Sequence, residues 1–395
     1  MKARTTILVT LIAGLMSCGK ADRSYIELHK EAIVVDTHSD TPLRLGKGFD
    51  FSKRDTTGHM DIPRLQEGGI DLQVFACFLP TNTPPDQCRP TVDELIDSLE
   101  AQVYRNQDKI ALCTTAAQAE SVIQSGRIVG FVGIENGVAI NNSLENLQHF
   151  YDRGVRYMTL THTSSNEWCI SSADTTPAFH GLTDFGRAVV TKMNELGMIV
   201  DISHASVSAV EEILKVTSDP IIASHSCVNA ICPHDRNLTD EQIKAIAVNG
   251  GVIGINFFSG YLSPGNRWME IADSIYDEHR EEVDSIRELY PDDFHQRNEA
   301  LQPILDARNR ETAKLGIDVS TVVDHIDYIV NQVGPDYIGL GSDFDGVSSL
   351  PQGLSDCSMV PNITKELVQR GYSNEDIRKI LGGNFMRVFR QVCDR

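Results

Sequence analysis

The 395-residue chain has few positive charges, with 35 lysines and arginines against 55 aspartates and glutamates, and its formal net charge is −20. An acidic surface repels phosphate backbones and anionic lipid headgroups. This charge therefore argues against nucleic acid or an anionic membrane surface as a partner. A small-molecule substrate fits it better.

Long apolar runs and paired cysteines are also scarce. After the first seventeen residues, no stretch is long and apolar enough to cross a bilayer. The nine cysteines include no CxxC pair and predict no thiolate zinc site; in an exported protein some could form disulfides, but their spacing does not reveal the connectivity. No glycine-rich phosphate loop follows an early strand, which argues against an open doubly wound sheet.

The first seventeen residues have the pattern of an export signal. A short basic start precedes an apolar run from Thr6 to Met16, which is too short for a stable membrane-spanning helix. The sequence LMSC that ends at Cys18 resembles a bacterial lipobox, in which the cysteine is lipidated and becomes the new N-terminus. We expect residues 1–17 to be removed and Cys18 to anchor a lipoprotein facing the periplasm or cell exterior. An ordinary secretory peptide cut nearby is the alternative.

Eight short apolar runs follow along the chain, separated by segments of helical spacing such as Thr183–Leu196 and Val319–Val330. Most runs are too continuous for half-exposed strands and are typical of parallel strands buried on both faces. The alternation predicts an α/β fold, a (β/α)8 TIM barrel forming a single domain over residues 25–395. The predicted strands are Ile33–Val35, Leu72–Phe78, Ile128–Ile134, Val155–Leu160, Met198–Ile202, Pro220–Ala223, Gly251–Phe257 and Tyr337–Leu340.

One long charged segment, Ser259–Gly316, interrupts the repeat between the seventh strand and its helix. Parts of it, such as Met269–Leu289, have the pattern of polar helices. Because it leaves the carboxyl end of a strand, we expect it beside the barrel mouth as a wall or lid, with an oligomer contact or plain decoration as the alternative. Near the C-terminus, Ile377–Val388 is predicted to be a closing helix interrupted by Gly382-Gly383.

Histidines and carboxylates stand at the predicted carboxyl ends of the strands, where the residues of such a barrel converge on one site. His38 and Asp40 follow the first strand, and side chains two residues apart in an extended segment face the same side. Each residue alone is more often structural, but imidazole and carboxylate together are the ligand set of zinc and neighbouring divalent metals. The other strand-end residues are Glu135, His162, His204, His225, and Asp343 followed by Asp345.

Two neighbouring metal ions need a shared carboxylate to offset their repulsion, and Glu135 is the candidate for that bridge. His38 and Asp40 would then bind one ion, and His204 and His225 the other. A water held between two such ions is acidified enough to be hydroxide near neutral pH.

Two further strand-end residues suit the steps that follow attack on an amide carbonyl. Asp343 is placed to take a proton from the water and pass it to the leaving amine, and His162 to donate a hydrogen bond to the oxyanion. The alternative for Asp343 is a plain ligand or a turn residue.

Seven stretches resemble the membrane dipeptidase family, also called renal dipeptidases, within the metal-dependent amidohydrolase superfamily. The resemblance implies a barrel with two zinc ions that hydrolyses dipeptides, and it suggests a homodimer. By motif, the implied zinc ligands are His38, Asp40, Glu135, His204 and His225, while His162 and Asp343 fall on the substrate-contacting histidine and the catalytic aspartate. The stretches are VDTHSDTP at 35–42, GIEN at 133–136, LTHT at 160–163, DISH at 201–204, SHS at 224–226, GSDFDG at 341–346 and GNF at 383–385.

The resemblance also implies an anchor for the substrate's free C-terminal carboxylate. Arg236, in the sequence HDRN after the sixth strand, matches the family's carboxylate-binding arginine, and a planar guanidinium can make two parallel hydrogen bonds to a carboxylate. A surface pairing of Arg236 with Asp235 is the alternative. Tyr261, just past the seventh strand, matches a tyrosine near the same carboxylate.

The predicted function is therefore a zinc-dependent dipeptidase with two zinc ions per chain. A related amidohydrolase acting on N-acyl amino acids, D-amino-acid dipeptides or lactams is the alternative, and Arg236 favours any of these that carry a free carboxylate. A lipoprotein that binds a peptide without turnover would be marked by a lost ligand or a replaced Asp343, and neither change is present.

Overall fold

The computed structural model describes residues 25–290 and 294–395. The predicted export signal and Cys18 lie outside this part of the chain. Within it, nine parallel strands form one sheet. They are β1 Val35–Asp36, β2 Leu72–Phe78, β3 Ile110–Leu112, β4 Ile128–Glu135, β5 Val155–Thr159, β6 Ile199–Asp201, β7 Ile222–Ser226, β8 Val252–Ile255 and β9 Ile338–Leu340.

Eight of these strands close into a barrel, because β2 pairs with β4 at one side and β9 pairs with β1 at the other. The ring order is β1, β2, β4, β5, β6, β7, β8, β9. These are the eight strands predicted from the apolar runs, shifted at their ends by a few residues, and the (β/α)8 barrel is confirmed. The short strand β3 pairs with the beginning of β4 outside the ring.

Seventeen helices surround the barrel in the described residues, and several begin at a Ser, Thr or Asp whose side chain accepts a backbone N–H, as Thr183 and Asp318 do. None of the described helices is long and apolar enough to span a membrane. The helices are α1 25–31, α2 Pro42–Leu45, α3 Ile62–Glu67, α4 Pro85–Arg105, α5 Ala116–Gln124, α6 Leu144–Asp152, α7 Asp184–Leu196, α8 Val207–Val216, α9 Asp240–Asn249, α10 Ser259–Leu262, α11 Arg267–Glu278, α12 Arg280–Leu289, α13 Phe294–Thr312, α14 Val319–Val333, α15 Pro361–Gln369, α16 Asn374–Arg378 and α17 Asn384–Cys393.

Helix α17 closes the amino-terminal end of the barrel. Its Phe385 and Phe389 belong to the same buried cluster as side chains at the beginnings of strands, among them Ile199 and Ile222. The Phe131 ring of β4 meets the Phe389 ring at a centroid distance of 5.0 Å. A π-helical segment, Lys379–Gly383, precedes α17 and interrupts the helix at the predicted glycine pair. The opposite, carboxyl end of the barrel therefore remains for chemistry.

The segment between β8 and α14, Ser259–Gly316, is called the insertion below. Its described residues are mainly helical and lie beside the barrel mouth, as predicted. It consists of α10 to α13 with short 3-10 turns. Helices α12 and α13 share a small core of Val283, Leu301 and Ile304, while Trp268 of α11 packs against Phe258 just after β8.

The eight cysteines from Cys77 to Cys393 are all free and buried. The possibility of disulfides is therefore not borne out in the described residues. These side chains pack within the core as small apolar groups.

Candidate active site

His38 and Asp40 lie just past β1 and are 0% and 7% exposed. The Tyr157 hydroxyl, inside the barrel, donates to the Thr37 carbonyl at 3.3 Å and lies 2.8 Å from His38 Nδ1. Because that hydroxyl has one proton, it accepts from Nδ1–H, so in the neutral ring the lone pair of His38 lies on Nε2. Nε2 is buried without a hydrogen-bond partner and points toward Glu135 Oε2, 3.5 Å away.

His204 and His225, after β6 and within β7, bring their Nε2 atoms to 3.1 Å from each other. Ser224 Oγ donates to Asp201 Oδ2 at 2.6 Å and lies 2.8 Å from His225 Nδ1. It therefore accepts from Nδ1–H, and His225 Nε2 also carries a lone pair. His204 has a backbone φ of 67°, a strained conformation that is often found at functional sites.

Glu135, the last residue of β4, stands between these histidines. Its Oε1 is 3.1 Å from His204 Nε2 and 3.3 Å from His225 Nε2, whereas its Oε2 faces His38. Each oxygen thus serves a different side of the site. A carboxylate that bridges two cations through both of its oxygens has this arrangement.

The site concentrates negative charge. Burial and the neighbouring Glu135 raise the pKa of Asp40 well above its usual range, and burial raises that of Asp343 to about 6. Burial alone would lower the pKa of His38, but the carboxylates of Glu135, Asp40 and Asp343 outweigh it and raise the value to about 10, so a cation that binds His38 would displace the proton from Nε2. Such crowding is relieved by bound cations.

The donor atoms fit divalent metal ions. Burial lowers the pKa of His204 and His225 well below the usual value, which keeps the imidazoles neutral, as metal ligands must be. Asp40 Oδ1, like His38 Nε2, is buried without a hydrogen-bond partner. Three groups bring their ligand atoms within 4.8 Å of one another: His38 with Glu135 and His225, Glu135 with His162 and His204, and His38 with Asp40 and Asp343.

His162 and Asp343 line a pocket of about 230 Å³ together with Asp40, Glu135 and His204; we call it the substrate pocket. His162 packs its ring against Phe78, at a centroid distance of 4.6 Å, and its Nε2 is 3.8 Å from Glu135 Oε1. The pocket thus places two groups that can carry a proton, the imidazole of His162 and the weakly acidic carboxyl group of Asp343, beside the metal-binding residues.

Asp343 has a φ of 62° and is held by Asn256. Asn256 Oδ1 accepts from the Phe258 amide at 2.6 Å, so its Nδ2 faces Asp343 Oδ2 at 2.9 Å. Asp345 turns away, accepting from Thr41 Oγ1 at 2.8 Å and from the His59 amide at 2.7 Å. Asp343 is therefore the strand-end aspartate at the site, and Asp345 is structural.

Arg236 is buried and lies 5.6 Å from the Tyr261 ring centroid. It donates from Nη1 to Ser226 Oγ and from Nη2 to the His225 carbonyl, at 3.2 and 2.9 Å, while its Nε has no partner. The alternative pairing with Asp235 is not seen, since Asp235 contacts His234 at 2.8 Å. Tyr261, but not Arg236, is among the residues that line the substrate pocket.

Several positioning residues were missed by the sequence reasoning. Asp201 also accepts from the backbone amides of Ser203 and Ser224, and Asp36 accepts from both the amide and the hydroxyl of Ser342. Two features of the sequence could have indicated Asp36, Asp201 and Tyr157: closeness to a ligand along the chain, and position on a strand. Asp36 lies two residues before His38 and Asp201 three before His204, and Tyr157 is an inward-facing position of β5.

The chain matches the family model described as "Membrane dipeptidase (Peptidase family M19)" over residues 23–394. It is 30% identical over 377 residues to Dipeptidase 3 from Mus musculus, and the aligned region covers 93% of this chain and 66% of the mouse protein's length. Among solved structures, the probable dipeptidase PvdM from Pseudomonas aeruginosa superposes with a TM-score of 0.82 at 27% identity, covering 95% of this chain and 99% of that one. Dipeptidase AC, a metallo peptidase of the same family, gives 0.76 at 25% identity, with 92% and 99% covered. The chain belongs to the membrane dipeptidase family, peptidase family M19.

Proposed function

We propose that this protein is a zinc-dependent dipeptidase that binds two zinc ions per chain. Membership of a family of metallo-dipeptidases supports hydrolysis of dipeptides. The observation that carries the proposal is the division of the two Glu135 oxygens between His38 on one side and His204 with His225 on the other.

His38 and Asp40 would hold one ion, His204 and His225 the other, and Glu135 both. The bound ions would supply an acidified water and polarise the scissile carbonyl. The fixed Nε2 lone pairs of His38 and His225 support these assignments, because the ring nitrogen opposite each one is occupied by Tyr157 or Ser224.

Asp343 would act as general base and then general acid. Its pKa, raised by burial to about 6, lies near neutral pH, where one group can accept a proton from water and later donate it to the leaving amine. The hydrogen bond from Asn256 holds Oδ2, so Oδ1 is left for this transfer.

His162 would donate a hydrogen bond to the oxyanion. Burial lowers its pKa, and the neutral ring needs its proton on Nε2 to donate into the pocket. The hydroxyl of Thr163 lies 3.1 Å from Nδ1 and can donate to it, which favours that tautomer.

Arg236 would hold the substrate's C-terminal carboxylate, with Tyr261 beside it. Two of its five N–H groups have partners, so three remain for an anion. The substrate pocket, at about 230 Å³, is smaller than the roughly 300–1,000 Å³ typical of sites for drug-sized ligands, which suits a small dipeptide.

Metal content and hydrolysis of a simple dipeptide, measured on the same sample before and after chelation and re-addition of zinc, test the proposal. Two metals per chain, with activity that disappears and returns, are expected. Two metals without dipeptide cleavage would indicate that the substrate is an acylated amino acid or another amide. Absence of bound metal would contradict the proposed metal site.

We further propose that the mature chain begins at a lipidated Cys18 and works outside the cytoplasm as a membrane-anchored lipoprotein, and that it forms a homodimer. The lipobox-like sequence and the family resemblance support these two points. Light scattering of the purified protein measures the second.

A further inference from the structure

The insertion supports one wall of the substrate pocket. Phe258, immediately before the insertion, and Val347 and Ser348, in the loop after β9, line that wall. Trp268 of α11 is 3% exposed and packs its ring edge-on against Phe258, with centroids 4.9 Å apart and planes at 70°. Phe258 is therefore supported from behind by a residue of the insertion.

Arg308 of α13 connects Trp268 to the loop after β9. It is 4% exposed, and its guanidinium carbon lies 5.1 Å from the Trp268 ring centroid. Nη1 donates to the Tyr276 hydroxyl at 3.1 Å, and Nη2 donates to Asn309 Oδ1 at 2.9 Å and, over a longer distance, to the Ser348 carbonyl at 3.4 Å. A buried guanidinium keeps its partners, because leaving it unpaired is costly. Arg308 thus contacts both Trp268 and the loop that carries Ser348.

This wall lies beside the place proposed for the substrate's carboxylate. The Tyr261 ring contacts Phe258 at a centroid distance of 4.8 Å, and Arg236 lies on the same tyrosine. In an amino acid the side chain and the carboxylate branch from one carbon. A carboxylate bound by Arg236 would therefore bring the C-terminal side chain into the part of the pocket that Phe258 and Val347 line.

We infer that Arg308 and Trp268, by positioning Phe258 and Val347, set the size of the side chain accepted on the substrate's C-terminal residue. The inference rests on the proposed dipeptidase function and deepens it. A rigid wall on a small pocket favours small C-terminal side chains, while the N-terminal residue is not restricted by the insertion.

Steady-state kinetics on two dipeptide series test this inference. One series varies the C-terminal residue (Ala-Ala, Ala-Leu, Ala-Phe) and the other the N-terminal residue (Leu-Ala, Phe-Ala). Arg308→Met keeps the buried aliphatic part of the side chain and removes its hydrogen bonds. Val347→Ala shortens a side chain of the wall and so enlarges the pocket directly. Arg287→Met on α12, where the arginine side chain is 62% exposed, is the control.

In both test variants we expect the kcat/KM for Ala-Phe relative to Ala-Ala to rise roughly tenfold, which is the effect on specificity of making room for about one methylene group in a pocket. The Phe-Ala to Ala-Ala ratio and the metal content should stay unchanged, and the control should match the wild type. An equal change on both series would show a merely structural role and overturn the inference. If Arg308→Met does not fold, an unchanged profile in Val347→Ala overturns it. A wild type that cleaves no dipeptide would refute the proposed function as well.

Discussion

Glu135 is the residue on which both halves of the candidate metal site depend. Glu135→Gln removes one negative charge and one of the two acceptor oxygens that face His38 and the His204–His225 pair. We expect metal affinity to fall by more than the roughly 10–100-fold that loss of an outer-shell partner costs, with fewer than two metals retained per chain. Metal analysis after dialysis measures this. Glu167→Gln, an exposed carboxylate, is the control, and two tightly held metals in Glu135→Gln would contradict the bridging role.

Asp343→Asn separates metal binding from proton transfer. Because Asn256 presents its Nδ2, the new amide will turn its oxygen toward Asn256 and leave an N–H₂ group where the base must accept a proton. We expect metal content to stay near wild type and kcat to fall by about 10²–10⁴-fold.

The matched control for that variant is Asp345→Asn. Asp345 has a similar left-handed backbone, with φ of 66°, but its side chain is bound by Thr41, Arg44 and His59. Its replacement should affect stability more than turnover. Loss of metal in Asp343→Asn would show that Asp343 is a ligand and not the proton carrier.

At the residue scale, strand-end position predicted most of the histidines and carboxylates that meet, although Asp345, also at a strand end, turns away from the site. His38, Glu135, His204 and His225 converge because parallel strands of a barrel end at one face. The supporting residues could not be predicted in the same way. Asp201 lies close to His204 in the sequence, but Asn256 reveals its role only through its partner Asp343 on the neighbouring strand, which sequence spacing does not record.

At the scale of elements, helix α17 closes the amino-terminal end of the barrel, and Phe389 is the most buried aromatic side chain of this helix. Phe389 is 0% exposed and meets Phe131 and Phe385 at 5.0 and 6.1 Å. Phe389→Ala should lower the free energy of unfolding by about 3–5 kcal/mol through lost contacts and a cavity.

Chemical denaturation measures this loss, with Val248→Ala, 91% exposed on α9, as a control that should change stability by less than about 0.5 kcal/mol. Because α17 is at the end opposite the candidate site, the folded Phe389→Ala protein should keep its metal content and kcat. A stability equal to wild type would mean that α17 does not hold the barrel closed.

Elements were predictable where a long pattern existed. The continuous buried runs of β2 and β4 are long enough to be recognised, and the capped, amphipathic α7 and α14 have enough residues to show a helical period. Strand β3, with three residues, shows none, and it forms because β4 offers a free edge before β5 begins. The arrangement of the insertion was also hidden, because its contacts with the barrel include two buried residues, Trp268 and Arg308, that the largely charged sequence of this segment does not single out.

At the scale of the whole molecule, the charge of −20 and the predicted anchor act together. A protein this acidic gains no attraction from anionic lipids, so an exported form would be held at a membrane by its acyl chains alone, at about 0.8 kcal/mol per buried CH₂ group. Cys18→Ala removes the lipid attachment point and leaves the barrel unchanged. We therefore expect this variant to move from the membrane fraction to the soluble fraction without a change in kcat or metal content.

Cell fractionation combined with labelled fatty acid measures the change, and Ser24→Ala, which leaves the lipobox-like sequence intact, is the control. Label incorporated into wild type and Ser24→Ala but not into Cys18→Ala is the expected result. If Cys18→Ala stays in the membrane fraction, another contact holds the protein there, and that contact would have to be apolar, since the net charge provides no electrostatic one. If wild type is soluble and carries no label, the first residues are an ordinary secretory peptide and the enzyme acts free in solution.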